Sequence, residues 1–393
     1  MTAPMSARLA TKGAINGATL LVLLASSPTF SFVPPPFHYA PHPSASLCMS
    51  SDVSHLLYQE QEKLIVQRGE LEESLVSNVS PLKAPVIKVR GTGKAGGFGK
   101  SSSGSSSSNN NKAEGKEYAK LLQKEGVVRI DNVLAADTAD QVRKYLYDLR
   151  KESEIDVANG KIQPIQRFAD VLLKQNRCDL TVPMGDEVIT RALDETLRLS
   201  PIGSTISSVF GDDAILHEFS CLMSDPGSQR QVIHPDTPYI EGKGPVLYTC
   251  FIALQDVTLD MGPTIWLPRT HCKEAHEEFK DTSLGSDGGE SKKDALIRTQ
   301  PAVLGTLTKG SCAIYDSRVL HCGTANRSVN GTSRALFYFS FKNPEVLYPG
   351  NPPSIREELA AAKVSLGDLI EDLQLLSKGK GSQLIARLGS LMR

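Results

Sequence analysis

No stretch of this 393-residue sequence approaches the run of ~20 apolar residues that a membrane-crossing helix needs, so no integral span is expected in the mature chain. Neither sign of charge is in excess. The 43 Lys and Arg stand against 44 Asp and Glu, which leaves no basic surplus of the kind that grips nucleic acid. Cysteine is sparse and scattered: the seven, at positions 48, 178, 221, 250, 272, 312 and 322, include no CxxC pair. That pattern fits reduced thiols better than a zinc knuckle or a disulfide framework. Apolar residues at 40% and charged residues at 22% exclude a collagen-like or wholly disordered chain. At ~150 residues per domain, the length suggests two or three domains.

The first 51 residues lack any Asp or Glu and carry only Arg8 and Lys12 as fixed charges. An apolar stretch from Ala18 to Ala25 is followed by the small residues Ser26 and Ser27, then by a Ser-, Pro- and His-rich piece containing Phe30 and Phe32. This reads as a targeting presequence over 1–51, a signal peptide followed by a transit-like segment. It resembles the two-part presequences that deliver proteins to complex plastids; the secretory pathway and the mitochondrion are the alternatives. Without it the balance becomes 41 basic against 44 acidic residues.

From 52 to 90, Leu57, Leu64, Leu71 and Leu75 recur at helical spacing among charges, which predicts an amphipathic helical segment. The next segment, 91–112, holds 6 Gly, 7 Ser and 3 Asn in 22 residues and reads as a flexible linker. At the other end, Ser354 with Glu357 and Ser365 with Asp368 form capping boxes, so a helical tail is expected over 346–393. These terminal helices offer a surface for a protein partner.

Residues 113–345 form the domain that carries chemistry. A helix (EYAKLLQKEG), a strand from Val127 to Ile130 and a helix from near Asp137 come first. The runs after Asp213 are short, rich in Val, Ile, Phe, Tyr and Thr, and bounded by turn residues, the rhythm of a β barrel or sandwich. Within them lie His234-Pro235-Asp236 and, 85 residues beyond Asp236, His321. On a strand, positions i and i+2 face one way, so His234 and Asp236 can share an ion with a His from another strand. Two imidazoles and one carboxylate leave open positions on iron; zinc is the rival metal.

The surroundings sharpen this. Ser224 to Gln231 precedes the pair, Met261 to His271 follows it, and Tyr315 to Ser328 surrounds the distal His, with Arg334 opening an aromatic strand. Residues ~115–345 resemble the phytanoyl-CoA dioxygenase family of Fe(II)- and 2-oxoglutarate-dependent oxygenases. The resemblance implies a mainly β fold with flanking helices, a double-stranded β-helix of the jelly-roll or cupin-like kind. It implies His234, Asp236 and His321 as catalytic metal ligands, and Arg334 as the residue that binds the far carboxylate of 2-oxoglutarate. Arg334 stands 13 residues past His321, which requires a two-residue insertion around Asn330 and Gly331; Arg327 is the competitor. Gln231, Thr249 and Phe251 are expected near the co-substrate, and Asp236 argues against halogenation. The implied reaction consumes O2 and 2-oxoglutarate, hydroxylates an aliphatic C–H of a small-molecule or acyl substrate, and releases succinate and CO2. Desaturation or cyclisation by the same centre, and a non-catalytic metal-stabilised binding barrel, are the alternatives. Residues that choose the substrate are expected in loops such as Lys273 to Ile297.

Overall fold

The computed structural model describes residues 51–87, 106–169, 176–285, 288–329, 331–347, 349–381 and 384–391. Apart from Ser51, the targeting sequence expected over 1–51 lies outside them.

The core is two β-sheets with helices on the outer side of the larger one, the arrangement of a double-stranded β-helix. The major sheet has seven strands: β2 (Val127–Ile130), β3 (Phe168–Ala169), β4 (Arg177–Thr181), β5 (Ile215–Ser224), β6 (Leu247–Ala253), β9 (Cys312–Asp316) and β11 (Arg334–Lys342). Their order across the sheet is β2-β9-β6-β11-β5-β4-β3. The minor sheet has the order β1-β8-β7-β10, from β1 (Val79–Pro81), β7 (Thr264–Trp266), β8 (Ala302–Leu304) and β10 (His321–Gly323). Among the described residues the two sheets are not joined into a closed barrel.

Strand β11 shows how the sequence sorts its faces. Side chains alternate across a strand, so Ala335, Phe337, Phe339 and Phe341 point one way and join an apolar cluster with the helices. That cluster takes Val142 and Leu146 of α3 (Ala136–Ala158), Ile189 and Leu193 of α4 (Glu187–Leu193), and Ile202 and Ile206 of α5 (Ile202–Phe210). Phe337 meets Phe219 edge-on at 5.5 Å between centroids. The other face, Arg334, Leu336, Tyr338 and Ser340, looks toward the minor sheet. There Phe251, Tyr315 and Tyr338 pack with Trp266 of β7 in a second cluster. The Trp266 ring reaches Gly305, where a Cβ would stand 2.6 Å from it, so only glycine fits.

Three expectations change. The 52–90 segment is not helix throughout: α1 (Ser51–Leu75) is followed by β1, which pairs in parallel with β8. Pro81 ends this strand, as an edge position permits because proline gives the ladder no N–H. The linker read over 91–112 ends in helix, since α2 (Ser106–Glu125) begins inside its Ser/Asn tract, and residues 91–105 lie outside the described part. Asn111 and Ser204 explain the extension. The Asn111 side chain donates to the Leu199 carbonyl at 2.9 Å and its own carbonyl accepts from Ser204 Oγ at 2.7 Å, tying the polar tract to α5. Finally, Lys273 to Ile297 is largely not loop. It forms α6 (Lys273–Lys280) and the start of α7 (Lys292–Thr299), the latter capped by Ser291, which accepts from Asp294 N; Leu296 and Ile297 are buried. The tail over 346–393 is helical as α8 (Glu357–Ala362), α9 (Leu366–Ser377) and α10 (Leu384–Leu391).

Candidate metal centre

His234 and His321 face each other across an isolated antiparallel bridge, each backbone N–H donating to the other's carbonyl at 2.9 Å. This doubly bonded pair fixes the two rings on one side of the chain, with centroids 4.7 Å apart. The strand expected through His234-Pro235-Asp236 is absent: only His234 is in a β-bridge, because Pro235 has no N–H with which to continue the ladder. Asp236 is placed instead by its own N–H, which donates to the Ser317 carbonyl at 2.8 Å.

The ring orientations follow from what each Nδ1 touches. His234 Nδ1 lies 2.8 Å from the Val232 carbonyl and His321 Nδ1 lies 2.9 Å from the Val319 carbonyl. A carbonyl only accepts, so Nδ1 carries the hydrogen and Nε2 presents a lone pair. Both Nε2 atoms turn to Asp236 Oδ1, at 3.7 Å from His234 and 3.5 Å from His321. The other oxygen, Oδ2, accepts from the Tyr315 hydroxyl at 3.0 Å. Ligand atoms from the three residues all lie within 4.8 Å of one another. Three converging lone pairs repel unless a cation lies between them, and His–carbonyl and carboxylate–tyrosine bonds are the outer supports that metal ligands use. The donor set therefore fits a divalent ion. Tyr315→Phe, which keeps the ring and removes the donor to Oδ2, is expected to weaken Mn(II) binding about tenfold. A titration of metal-free protein followed by the EPR signal of free Mn(II) reads this directly.

Gly323 lies two residues beyond His321 on β10, on the same face and ~6.6 Å along the strand. Gln231, expected from the sequence, and Arg177 meet at it. Gln231 pairs with Gly323, its N–H donating to the Gly323 carbonyl and its Oε1 accepting from Gly323 N, both at 2.9 Å. Arg177 packs against the same glycine, where a Cβ would stand 2.5 Å from Nη1. Arg177 and Arg334 lie on the two strands that flank β5, both in register with Ser224. Arg334 is fully buried; it donates to the Gly262 carbonyl and, at 3.1 Å, to Ser224 Oγ, while its Nε has no partner among the described residues. Arg177 donates to the Gln229 carbonyl at 3.0 Å, and its buried Nη1 has no partner among the described residues. Two adjacent buried guanidiniums thus meet only neutral oxygens. Burial, then repulsion from Arg177, pushes Arg334 down to about 9, and burial pushes Arg177 down to about 10. An anion held between them would relieve both. Arg327, the competitor, is exposed and doubly bonded to Glu73 at 2.9 Å.

Thr249 and Phe251 sit farther along the inner face, on β6. Thr249 is in register with Tyr315, and the Phe251 ring packs on Tyr315 and Tyr338 at 5.2 and 5.5 Å. They line the wall beside the carboxylate–tyrosine pair; the guanidinium pair belongs to the other end of the face.

Sequence reasoning missed Arg177, Tyr315, and an acidic group at that wall. Glu218 of β5 is buried, accepts from Asn351 Nδ2 at 2.9 Å, and is pushed up to about 8 by burial first and by the Asp236 charge second. Asp179 Oδ2 accepts from the Tyr338 hydroxyl at 2.8 Å. Between pH ~4.5 and ~8 the folded protein keeps a Glu218 proton that the unfolded chain has lost, so this contribution to stability is full below that window and fades as pH rises through it. Glu218→Gln removes the dependence. In metal-free protein its melting temperature at pH 8.5 should exceed that of wild type by about 5 °C, with little difference at pH 4.5.

Of the other histidines, His276 is buried and accepts from Tyr239 N at Nδ1, with Nε2 2.8 Å from the Arg318 carbonyl. His217 and His271 contact the Asn351 and Gln123 carbonyls. Asn326 is buried and donates its amide to the Ser224 and Thr332 carbonyls.

The family model for phytanoyl-CoA dioxygenase matches residues 122–335. Among solved structures, HygX of Streptomyces hygroscopicus with nickel and 2-oxoglutarate bound is 13% identical, over 58% of this chain and 87% of that one, with a TM-score of 0.39. The non-heme alpha ketoglutarate dependent carbocyclase SnoK from nogalamycin biosynthesis is 16% identical, over 64% and 92%, with a TM-score of 0.40. AviO1 of Streptomyces viridochromogenes is 15% identical, over 59% and 96%, with a TM-score of 0.39. No curated protein matches the sequence.

Proposed function

The chain belongs to the phytanoyl-CoA dioxygenase family, and from that premise we propose that it hydroxylates an aliphatic C–H of a small molecule at a centre formed by His234, Asp236 and His321. The family makes it an Fe(II)- and 2-oxoglutarate-dependent oxygenase. Fe(II) held there with 2-oxoglutarate and O2 supplies the oxidising power, and succinate and CO2 are the co-products.

The observation that carries the reading is the pairing of two polar clusters, one of lone-pair donors and one of guanidiniums, on one face. Three lone-pair donors converge at one place, and one short step along β10 the buried guanidinium of Arg177 lies against Gly323, beside the equally buried guanidinium of Arg334; each has a buried N–H without a partner among the described residues. A five-carbon keto dicarboxylate, bound to the metal by its keto-acid end, would reach the arginines with its far carboxylate. Arg334 and Arg177 bind and orient that carboxylate through charge-assisted hydrogen bonds. Tyr315 holds Asp236 so that one oxygen faces the metal. Phe251, Trp266 and Tyr338 keep the centre dry and shape the space in which the substrate lies.

The substrate wall is aromatic and then acidic, from Phe251 and Tyr338 to Glu218 and Asp179. Its reacting part is therefore uncharged or carries hydrogen-bond donors, and a carboxylate or phosphate would have to lie outside. The acid-free presequence supports action in a plastid. The test is a turnover screen with full-length protein, Fe(II), 2-oxoglutarate and O2, reading succinate. Neutral or amine-bearing aliphatic molecules should stimulate it above the uncoupled rate, while stimulation by anionic acyl compounds alone would contradict the reading of the wall.

A further inference from the structure

The α1 helix precedes the span that matches the family and nonetheless reaches the metal centre. Glu72, with no exposed surface, accepts the Ile233 backbone N–H on Oε2 at 2.6 Å. Ile233 is the residue before His234. The other oxygen, Oε1, takes Arg68 Nε at 2.8 Å and Lys293 Nζ of α7 at 3.3 Å, and Arg68 also holds Asp294 at 2.6 Å. The carboxylate is thus charge-balanced and fixed from two elements before it reaches the loop.

The helix touches the centre from more than one side. Gly69 lies against the Arg230 carbonyl, where a Cβ would stand 3.5 Å away. Glu73 holds Arg327, six residues beyond His321, through two bonds of 2.9 Å. Leu75 and Val76 pack into a cluster with Ile233, Ile265, Leu320 and Cys322, and β1 continues the minor sheet that carries His321. One helix therefore spans the proximal loop and the distal one.

We infer that Glu72 is a positioning residue: its carboxylate fixes the Ile233 amide and so aims His234 at the metal, making α1 part of the catalytic unit. A short charge-assisted bond to a backbone N–H adjacent to a ligand limits the rotation of that ligand, as the outer supports of metal sites do. Without it, the loop from Asp225 to Ile233 keeps its Gly323 pairing through Gln231 but loses its anchor next to His234. This inference rests on the metal-site reading above.

The experiment measures the dissociation constant of Mn(II), by EPR of the free ion, and the melting temperature, on full-length wild type, Glu72→Ala, Glu72→Gln and Leu75→Ala. Glu72→Ala is expected to weaken Mn(II) about tenfold. Glu72→Gln keeps an oxygen for the Ile233 amide while losing the ion pairs, so it should melt lower than wild type yet bind Mn(II) within about threefold of it. Leu75→Ala loosens the same helix without touching that amide, and should melt lower with the dissociation constant unchanged. Equal Mn(II) affinity in Glu72→Ala and wild type, no rescue by Gln, or an equal loss in Leu75→Ala would each overturn the positioning role. Failure of the wild type itself to bind Mn(II) or Fe(II) would overturn the metal-site reading and this inference with it.

Discussion

Replacing Asp236 with Ala is expected to abolish tight Fe(II) binding and, with it, succinate formation, a loss beyond the roughly 10–100-fold that removal of an outer support costs. Its Oδ1 is the atom both imidazoles face, at 3.5 and 3.7 Å, and the only anionic member of the donor set. The fold should survive the change, because the loop is held by the Asp236 backbone N–H on Ser317 and by the bridge between the two histidines. Removal of one carboxylate beside Glu218 also relieves a repulsion in the metal-free protein. The variant should therefore melt no lower than metal-free wild type. Anaerobic Fe(II) titration with a thermal melt separates loss of the site from loss of the fold; wild-type affinity for iron in this variant would remove Asp236 from the centre.

Arg334→Met should weaken 2-oxoglutarate about 10–100-fold while leaving metal affinity nearly unchanged, since a charged hydrogen bond is worth roughly 1.5–3 kcal/mol. Methionine retains much of the buried stem, which limits the cavity. The telling feature is the sign on stability. In the ligand-free protein Arg334 and Arg177 are two buried cations meeting only neutral oxygens, so removing one should leave the melting temperature level or raise it. Arg177→Met should produce the same pattern, because its buried Nη1, like Nε of Arg334, has no partner among the described residues. Isothermal titration with 2-oxoglutarate in the presence of Mn(II) measures both. A variant that destabilises the ligand-free protein yet binds 2-oxoglutarate normally would show Arg334 to be a structural residue.

The parts of the site visible in the sequence were those whose chemistry is local. His234 and Asp236 sit two apart, a spacing that lets them share an ion, while the ligand role of all three residues and that of Arg334 followed from the family resemblance. Arg177 and Glu218 were hidden by the same alternation that reveals strands. In Arg177-Cys178-Asp179-Leu180-Thr181 the alternation marks a strand but not which face lies inside, and the Arg177 side chain packs on Gly323 of the minor sheet. Nothing local marks Tyr315, because its hydroxyl finds Asp236 only once β9 pairs with β6. Glu72 was beyond reach, 161 positions from the amide it accepts and on a helix whose charges look solvated. The fold class followed from the rhythm of short β runs. The helical start at Ser106 did not, since nothing in a Ser/Asn tract signals helix until Asn111 and Ser204 meet.

The most direct test of the account is the weak visible charge-transfer absorption of Fe(II) chelated by a keto acid, recorded without air on the full-length protein with Fe(II) and 2-oxoglutarate. The account predicts a band in wild type, none in His234→Ala, and a band in Arg334→Met that appears only at much higher 2-oxoglutarate. A folded, metal-loaded wild type with no band at any 2-oxoglutarate concentration would contradict it.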